Sequence, residues 1–194
     1  MKKLLIAVCI MIFSASSVFA LPDPQVAVES VVNSVLAVLQ RTDIDNRQKK
    51  ALISMRVQKF MNIESMAALT LGSYWDSASS EQRQLFSDLF IEVLEGTYLN
   101  RINAYSDGRV DYLSQRVKED KAIVDTVIVA KDINISVQYK MIYRAGTWQV
   151  LDLVVENVSL IRNYNSSYSE IIRRDGFDGL LVLMQKKITE MAQR

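Results

Sequence analysis

The spacing of apolar residues changes twice along this chain, and this limits the possible folds more than any other feature. From Val28 to Tyr105 apolar residues recur at intervals of three and four, from Arg109 to Glu156 the stretches are rich in Val, Ile, Tyr and Thr with alternation, and from Leu160 onward the longer interval returns. The first spacing puts side chains on one stripe of a helix; the second puts them on one face of a strand. Helices, then a strand meander, then helices is the order of an α+β fold, an antiparallel sheet with amphipathic helices packed on one face.

Punctuation sharpens this reading. Both prolines, Pro22 and Pro24, stand near the start, and only six glycines interrupt the rest, so long elements and short connections are expected. Asp23-Pro24 is an N-cap followed by proline at the first helical position, and Val28, Val31, Val32, Val35, Leu36 and Leu39 then form one stripe. A more charged helix with Leu52 and Met55 is expected over 45–59, and a shorter one over 63–70, stopped by Leu71-Gly72. Ser79 and Gln82 form a capping box for the longest helix, which carries Leu85, Phe86, Leu89, Phe90, Val93, Leu94, Tyr98, Ile102 and Tyr105. Gly96 within it is costly for a helix and marks a close approach by another backbone or a ligand.

Four strands are expected near 109–118, 121–130, 133–143 and 147–156, divided by Glu119-Asp120, Lys131-Asp132 and Ala145-Gly146. In the third, Ile133, Ile135, Val137, Tyr139, Met141 and Tyr143 alternate with Asn134, Ser136, Gln138 and Lys140, so one sheet face is buried and the other largely wet. Two helices close the chain. One carries Leu160, Ile161, Tyr164, Tyr168, Ile171 and Ile172, the other Phe177, Leu180, Leu181, Met184, Ile188 and Met191, with Asp175-Gly176 between them.

Residues 1–20 read as a secretory signal peptide. Lys2 and Lys3 precede an apolar run from Leu4 to Phe13, and the segment ends in small residues before a cut after Ala20. The run falls short of the roughly 20 residues a spanning helix needs. Residues 21–194 are then one domain, helical over 24–105, stranded over 109–156 and helical over 159–191. Removing Lys2 and Lys3 from the 23 basic residues leaves 21 against 22 acidic ones, a net charge of −1, so nucleic acid is not an expected partner. The doublets Lys49-Lys50, Arg173-Arg174 and Lys186-Lys187 are solvated faces or contacts for lipid headgroups or an acidic partner.

The chain has no histidine, and its one cysteine, Cys9, lies in the signal segment. Ser-His-Asp and Cys-His catalysis, Cys/His zinc sites and disulfides are therefore excluded for the exported chain. Asp152 and Glu156 lie about 13 Å apart on an ideal strand, beyond the roughly 5–9.5 Å of glycosidase acid pairs. Asp175-Gly-Phe-Asp178-Gly179 lacks the ligand alternation of a calcium loop, and Ser159 reads as a helix N-cap. No enzymatic constellation, metal site or cofactor is expected.

Two stretches together resemble the MlaC family, periplasmic phospholipid-binding proteins also called toluene-tolerance proteins. The first is Leu71-Gly72-Ser73-Tyr74-Trp75, followed by Ala78-Ser79, Gln82-Arg83, Phe86, Phe90 and Tyr98. The second is Trp148-Gln149-Val150-Leu151-Asp152, then Glu156-Asn157-Val158-Ser159-Leu160-Ile161, Asn163-Tyr164 and Gly176-Phe177-Asp178-Gly179-Leu180. The chain departs from the family pattern at Asn157, where glycine is usual, and at Asn165, where a basic residue is common. The resemblance implies a periplasmic shuttle that carries phospholipid as cargo to maintain outer-membrane lipid asymmetry, between an MlaA-type lipoprotein with a porin and an MlaFEDB-type ABC transporter.

On this reading the lipid pocket lies between the sheet and the long helix, lined by Phe86, Phe90, Leu94, Tyr98, Val137, Tyr139 and Met141. The alternative is an exported, non-enzymatic adaptor whose aromatic residues form a solid core.

Overall fold

The computed structural model describes residues 21–99, 108–130 and 133–193. The proposed signal segment, the Lys131-Asp132 turn, and Ile102 and Tyr105 of the expected long helix lie outside these residues. Among the described residues, no helix is long and apolar enough to cross a membrane.

Each helix begins where side-chain chemistry satisfies its first backbone donors. Asp23 accepts from the Gln25 N–H at 2.8 Å and Pro24 opens α1 (Pro24–Leu39). Asp45 and Gln48 form a capping box for α2 (Asn46–Phe60), and Asn62 caps α3 (Ile63–Leu71). Gly72, at φ 56°, ends α3 and leads into a short helix, α4 (Ser73–Ser77). Ser79 and Gln82 form the expected box at the start of α5 (Ser80–Tyr98). The final helix, α6 (Leu160–Ala192), breaks at Gly176, whose φ of 76° and ψ of 173° are not helical. Its two halves fold back on one another, bringing the Lys187 ammonium within 5.9 Å of the Tyr164 ring.

The sheet runs in the order β1 (Arg109–Lys118), β2 (Lys121–Ala130), β3 (Ile133–Arg144), β4 (Thr147–Val155), β5 (Val158–Ser159), with every neighbour antiparallel. The sheet thus has five strands, where the sequence suggested four. Glu156 and Asn157, at φ 47° and 65°, turn the chain so tightly that Val158 pairs with Val155 before α6 begins. Asn157 thereby adopts the left-handed conformation that its glycine-like tolerance allows.

Two bulges set the faces of the sheet. Leu113 is extra in β1 and Leu151 is extra in β4. The second turns Asp152 to the face opposite Trp148, Val150 and Leu153, opposite Lys140. Ala122, Val124, Met141, Trp148 and Val150 form a core on the inner face with Val28 of α1.

The helices divide into two groups. α1 and α2 form a hairpin whose own core is Val38, Leu39 and Ile53, and α1 lies against β1 and β2. α3, α5 and α6 form a second layer filled by Phe86, Phe90, Tyr164, Tyr168, Leu180 and their neighbours. β4 joins this layer to the sheet. The Asn62 N–H donates to the Val150 carbonyl at 2.9 Å, and the Asn62 amide donates to Gln149 at 2.7 Å. Buried Asp152 accepts from Lys140 at 3.0 Å, the Ser159 hydroxyl at 2.7 Å and the Ile161 N–H at 3.2 Å.

Candidate functional site: an apolar cavity under the first helix

A cavity of about 220 Å³ lies between α1 and the inner face of the sheet. Val28, Val31, Val32, Val35, Leu36 and Leu39 of α1 form one wall, and Val110, Ile128, Tyr139, Val150 and Leu153 of the sheet form the other. Val57 and Phe60 of α2 close one side, together with Met61. Among the described residues, no charged side chain enters the lining. The valines explain why space remains. Val28 packs onto the strands, but the valines are short and each is held in one rotamer on a helix, so the wall does not fill the space along its whole length.

Apolar side chains that border a gap lose the contacts that a filled space would give them. The α1 wall is therefore held down by polar clamps at one end. The Trp148 indole donates to the Pro22 carbonyl at 2.6 Å, the Gln115 amide donates to Asp23 at 3.2 Å, and the Gln25 N–H donates to the Gln115 side chain at 3.1 Å. At the other end α2 holds it: Lys49 donates to the Leu39 carbonyl at 2.8 Å and Arg56 to the Ser34 carbonyl.

Tyr139 supplies the one polar side-chain atom in the lining. Burial pushes its hydroxyl up to about 12, with a further push from Tyr112, while a hydrogen bond with Thr126 pulls it partly back. Tyr112 is also pushed up to about 12, by burial first and then by Glu29. Both stay neutral over the physiological range, so the cavity presents no charge. Its wall can sort ligands by hydrophobicity and shape; it offers no nucleophile.

The seven residues expected to line a pocket do not share one space. Tyr139 lines the cavity, and Val137 and Met141 are buried on the same strand. Phe86, Phe90 and Leu94 are buried in the helical layer instead. Phe86 stacks on Phe90 at 5.7 Å and meets Tyr168 edge-on at 5.8 Å, while Phe90 meets Tyr164 edge-on at 5.5 Å. The structure spreads these residues over two layers, for a physical reason. The rings of α5 find matching rings on α6, and such pairs add roughly 0.5–1.5 kcal/mol beyond burial, so α5 packs on α3 and α6. Tyr98 ends α5 and is 41% exposed.

Other expectations resolve in the same region. Gly96 lies against a side chain: a Cβ there would lie 2.8 Å from the Met191 methyl. Ser159 caps α6, accepting from the Arg162 N–H at 3.1 Å. Asn165 donates to the Thr70 carbonyl at 2.8 Å, so this departure from the family pattern faces the end of α3. The cavity wall on α1 was not assigned from sequence, although its signal was present: a helical stripe of valines and leucines without a single aromatic ring.

Comparisons with known proteins agree with this architecture. Residues 29–186 match the family model described as MlaC protein. A relative in Haemophilus influenzae, the intermembrane phospholipid transport system binding protein MlaC, is 23% identical over 172 residues, covering 86% of this chain and 80% of its own. The solved structure of a phospholipid-binding protein from Ralstonia solanacearum, in complex with a phospholipid, superposes with a TM-score of 0.81 at 20% identity, covering 88% of this chain and 99% of that one. The family match spans most of the sequence, the fold match spans nearly all of the described elements, and the chain belongs to the MlaC family.

Proposed function

We propose that this protein is a soluble periplasmic carrier that holds the acyl chains of a glycerophospholipid against the inner face of the sheet, beneath α1. The observation that carries this reading is the uncharged cavity between α1 and the sheet, in a chain of the MlaC family. Two acyl chains contain roughly 30 methylene or methyl groups, and at about 0.8 kcal/mol each their exposure to water costs on the order of 24 kcal/mol. A pocket that returns most of this energy lets lipid cross an aqueous space without catalysis and without nucleotide.

The cavity is smaller than the roughly 300–1,000 Å³ of pockets that bury drug-sized ligands. Two tails therefore require the α1–α2 hairpin to move away from the sheet, which uncovers more of the strand carrying Val137, Tyr139 and Met141. Phe86, Phe90, Leu94 and Tyr98 then act as the frame against which the hairpin moves. Residues 1–20 direct export and are removed after Ala20. The partners are an MlaA-type lipoprotein with its porin at the outer membrane and an MlaFEDB-type transporter at the inner membrane, and the shuttle maintains outer-membrane lipid asymmetry.

Native mass spectrometry of protein purified without detergent tests the reading, with the expected result a mass increment of one diacyl phospholipid. Delipidation should lower the melting temperature and raise amide exchange in α1 and α2 more than in α5 and α6, by linkage of ligand to fold. Protein that carries no lipid, and whose melting and exchange do not respond to added phospholipid, would be the exported adaptor instead.

A further inference from the structure

The second helix has a charge pattern that carriage of lipid tails does not explain. α2 holds Arg47, Lys49, Lys50, Arg56 and Lys59 and no acidic residue. The exported chain carries −1, so subtracting these five leaves −6 on the remainder. Lys49 and Arg56 lie over α1, donating to neutral backbone carbonyls. Arg47, Ala51, Met55 and Lys59, each four residues from the next, are all exposed and make one stripe along the outside of the helix. Glu95 of α5 lies beside α2 and accepts from Ser54 and from Gln58, the latter at 2.7 Å, and it borders one groove with Ala51, Met55 and Lys59, a single carboxylate against the five cations of the helix. The same helix turns Val57 and Phe60 into the cavity wall.

We propose that α2 docks on an anionic bilayer surface, so that the lipid cavity is loaded or unloaded with its α2 wall against the headgroups. The inference rests on the carrier reading and adds to it a face and a partner. Arg47 and Lys59 are separated by about 18 Å along the helix axis. Mobile anionic headgroups can meet cations at any spacing, whereas a protein partner would need acids placed to match. Exposed Met55, between the two cations, can enter the interface as the apolar residue of a basic amphipathic helix does. With −6 on the rest of the exported molecule, the surface field orients the protein on this helix and does not adsorb it at random.

Cosedimentation of the full exported chain with vesicles tests this. Binding is expected to vesicles of phosphatidylcholine mixed with phosphatidylglycerol at low salt, to fall on pure phosphatidylcholine, and to be lost as salt is raised. The exposed pair R47E/K59E should weaken binding by at least about tenfold, and R47Q/K59Q by less, since each basic residue near the surface contributes on the order of a kilocalorie. The pair R173E/R174E on α6 changes charge equally and should leave binding within about twofold. Melting curves for each variant guard against misfolding. Equal binding to both vesicle types, or R47E/K59E binding like the unchanged protein, would overturn the docking face; binding to neither vesicle would do the same and point α2 toward an acidic protein. Lipid content measured on the same preparations separates the two readings: lipid-loaded protein that ignores vesicle charge overturns docking alone, and protein without lipid overturns the carrier.

Discussion

The helical layer and the α1–sheet layer are both apolar, yet they are built for opposite ends. In the first, rings from α5 and α6 interlock, and Phe86 and Phe90 have no exposed surface. In the second, a row of valines faces strands across a cavity of about 220 Å³. The difference is one of side-chain shape and not of hydrophobicity. Large planar rings fill irregular space from two sides and lock, whereas short branched side chains on a stiff helix leave a gap. The rigid frame and the adaptable pocket are thus separate, joined along β4 through Asn62 and Asp152.

The sharpest way to break this contrast is to fill the cavity. Val32→Phe places a ring where the wall is short, and copurified phospholipid should fall to background while the melting temperature holds or rises. Retained lipid in native mass spectra of the folded variant would move the pocket elsewhere. Phe90→Ala tests the opposite region. It should cost about 3–5 kcal/mol in urea denaturation, as large-to-small changes in tight cores do, while the folded fraction keeps its lipid. Loss of lipid with little loss of stability would mean that the aromatic layer lines a binding space after all. The smallest effect is expected from Ala145→Gly in the β3–β4 turn, where Ala145 sits at φ 49°. Relief of that conformation should add about 0.5–1 kcal/mol and leave lipid content unchanged, a control showing that stability and loading vary independently.

Legibility from sequence followed the range of the interactions concerned. Asp23, Ser79, Gly72, Gly176 and Ser159 act where their local signals place them, because a cap or a left-handed turn is decided within four residues. β5 escaped notice because two residues are too few for a period, and the bulge at Leu151 because alternation alone gives no sign of an inserted residue. The seven expected lining residues were named as one group, and the fold spreads them over two layers. A stripe says which face of an element is buried, and nothing about which neighbour buries it.

The amino-acid sequence by itself determined the order of elements, the faces they bury, their ends, the lack of imidazole and the resemblance that led to the family, since these rest on periods, caps and residue types within short windows. Only the tertiary structure decided that α5 turns its rings toward α6, that α1 closes over the sheet, and that the gap lies between them at Tyr139. Those outcomes depend on how whole surfaces fit: ring against ring lowers the free energy more than ring against valine, so the aromatic helices chose one another and left the valine helix to cover the strands.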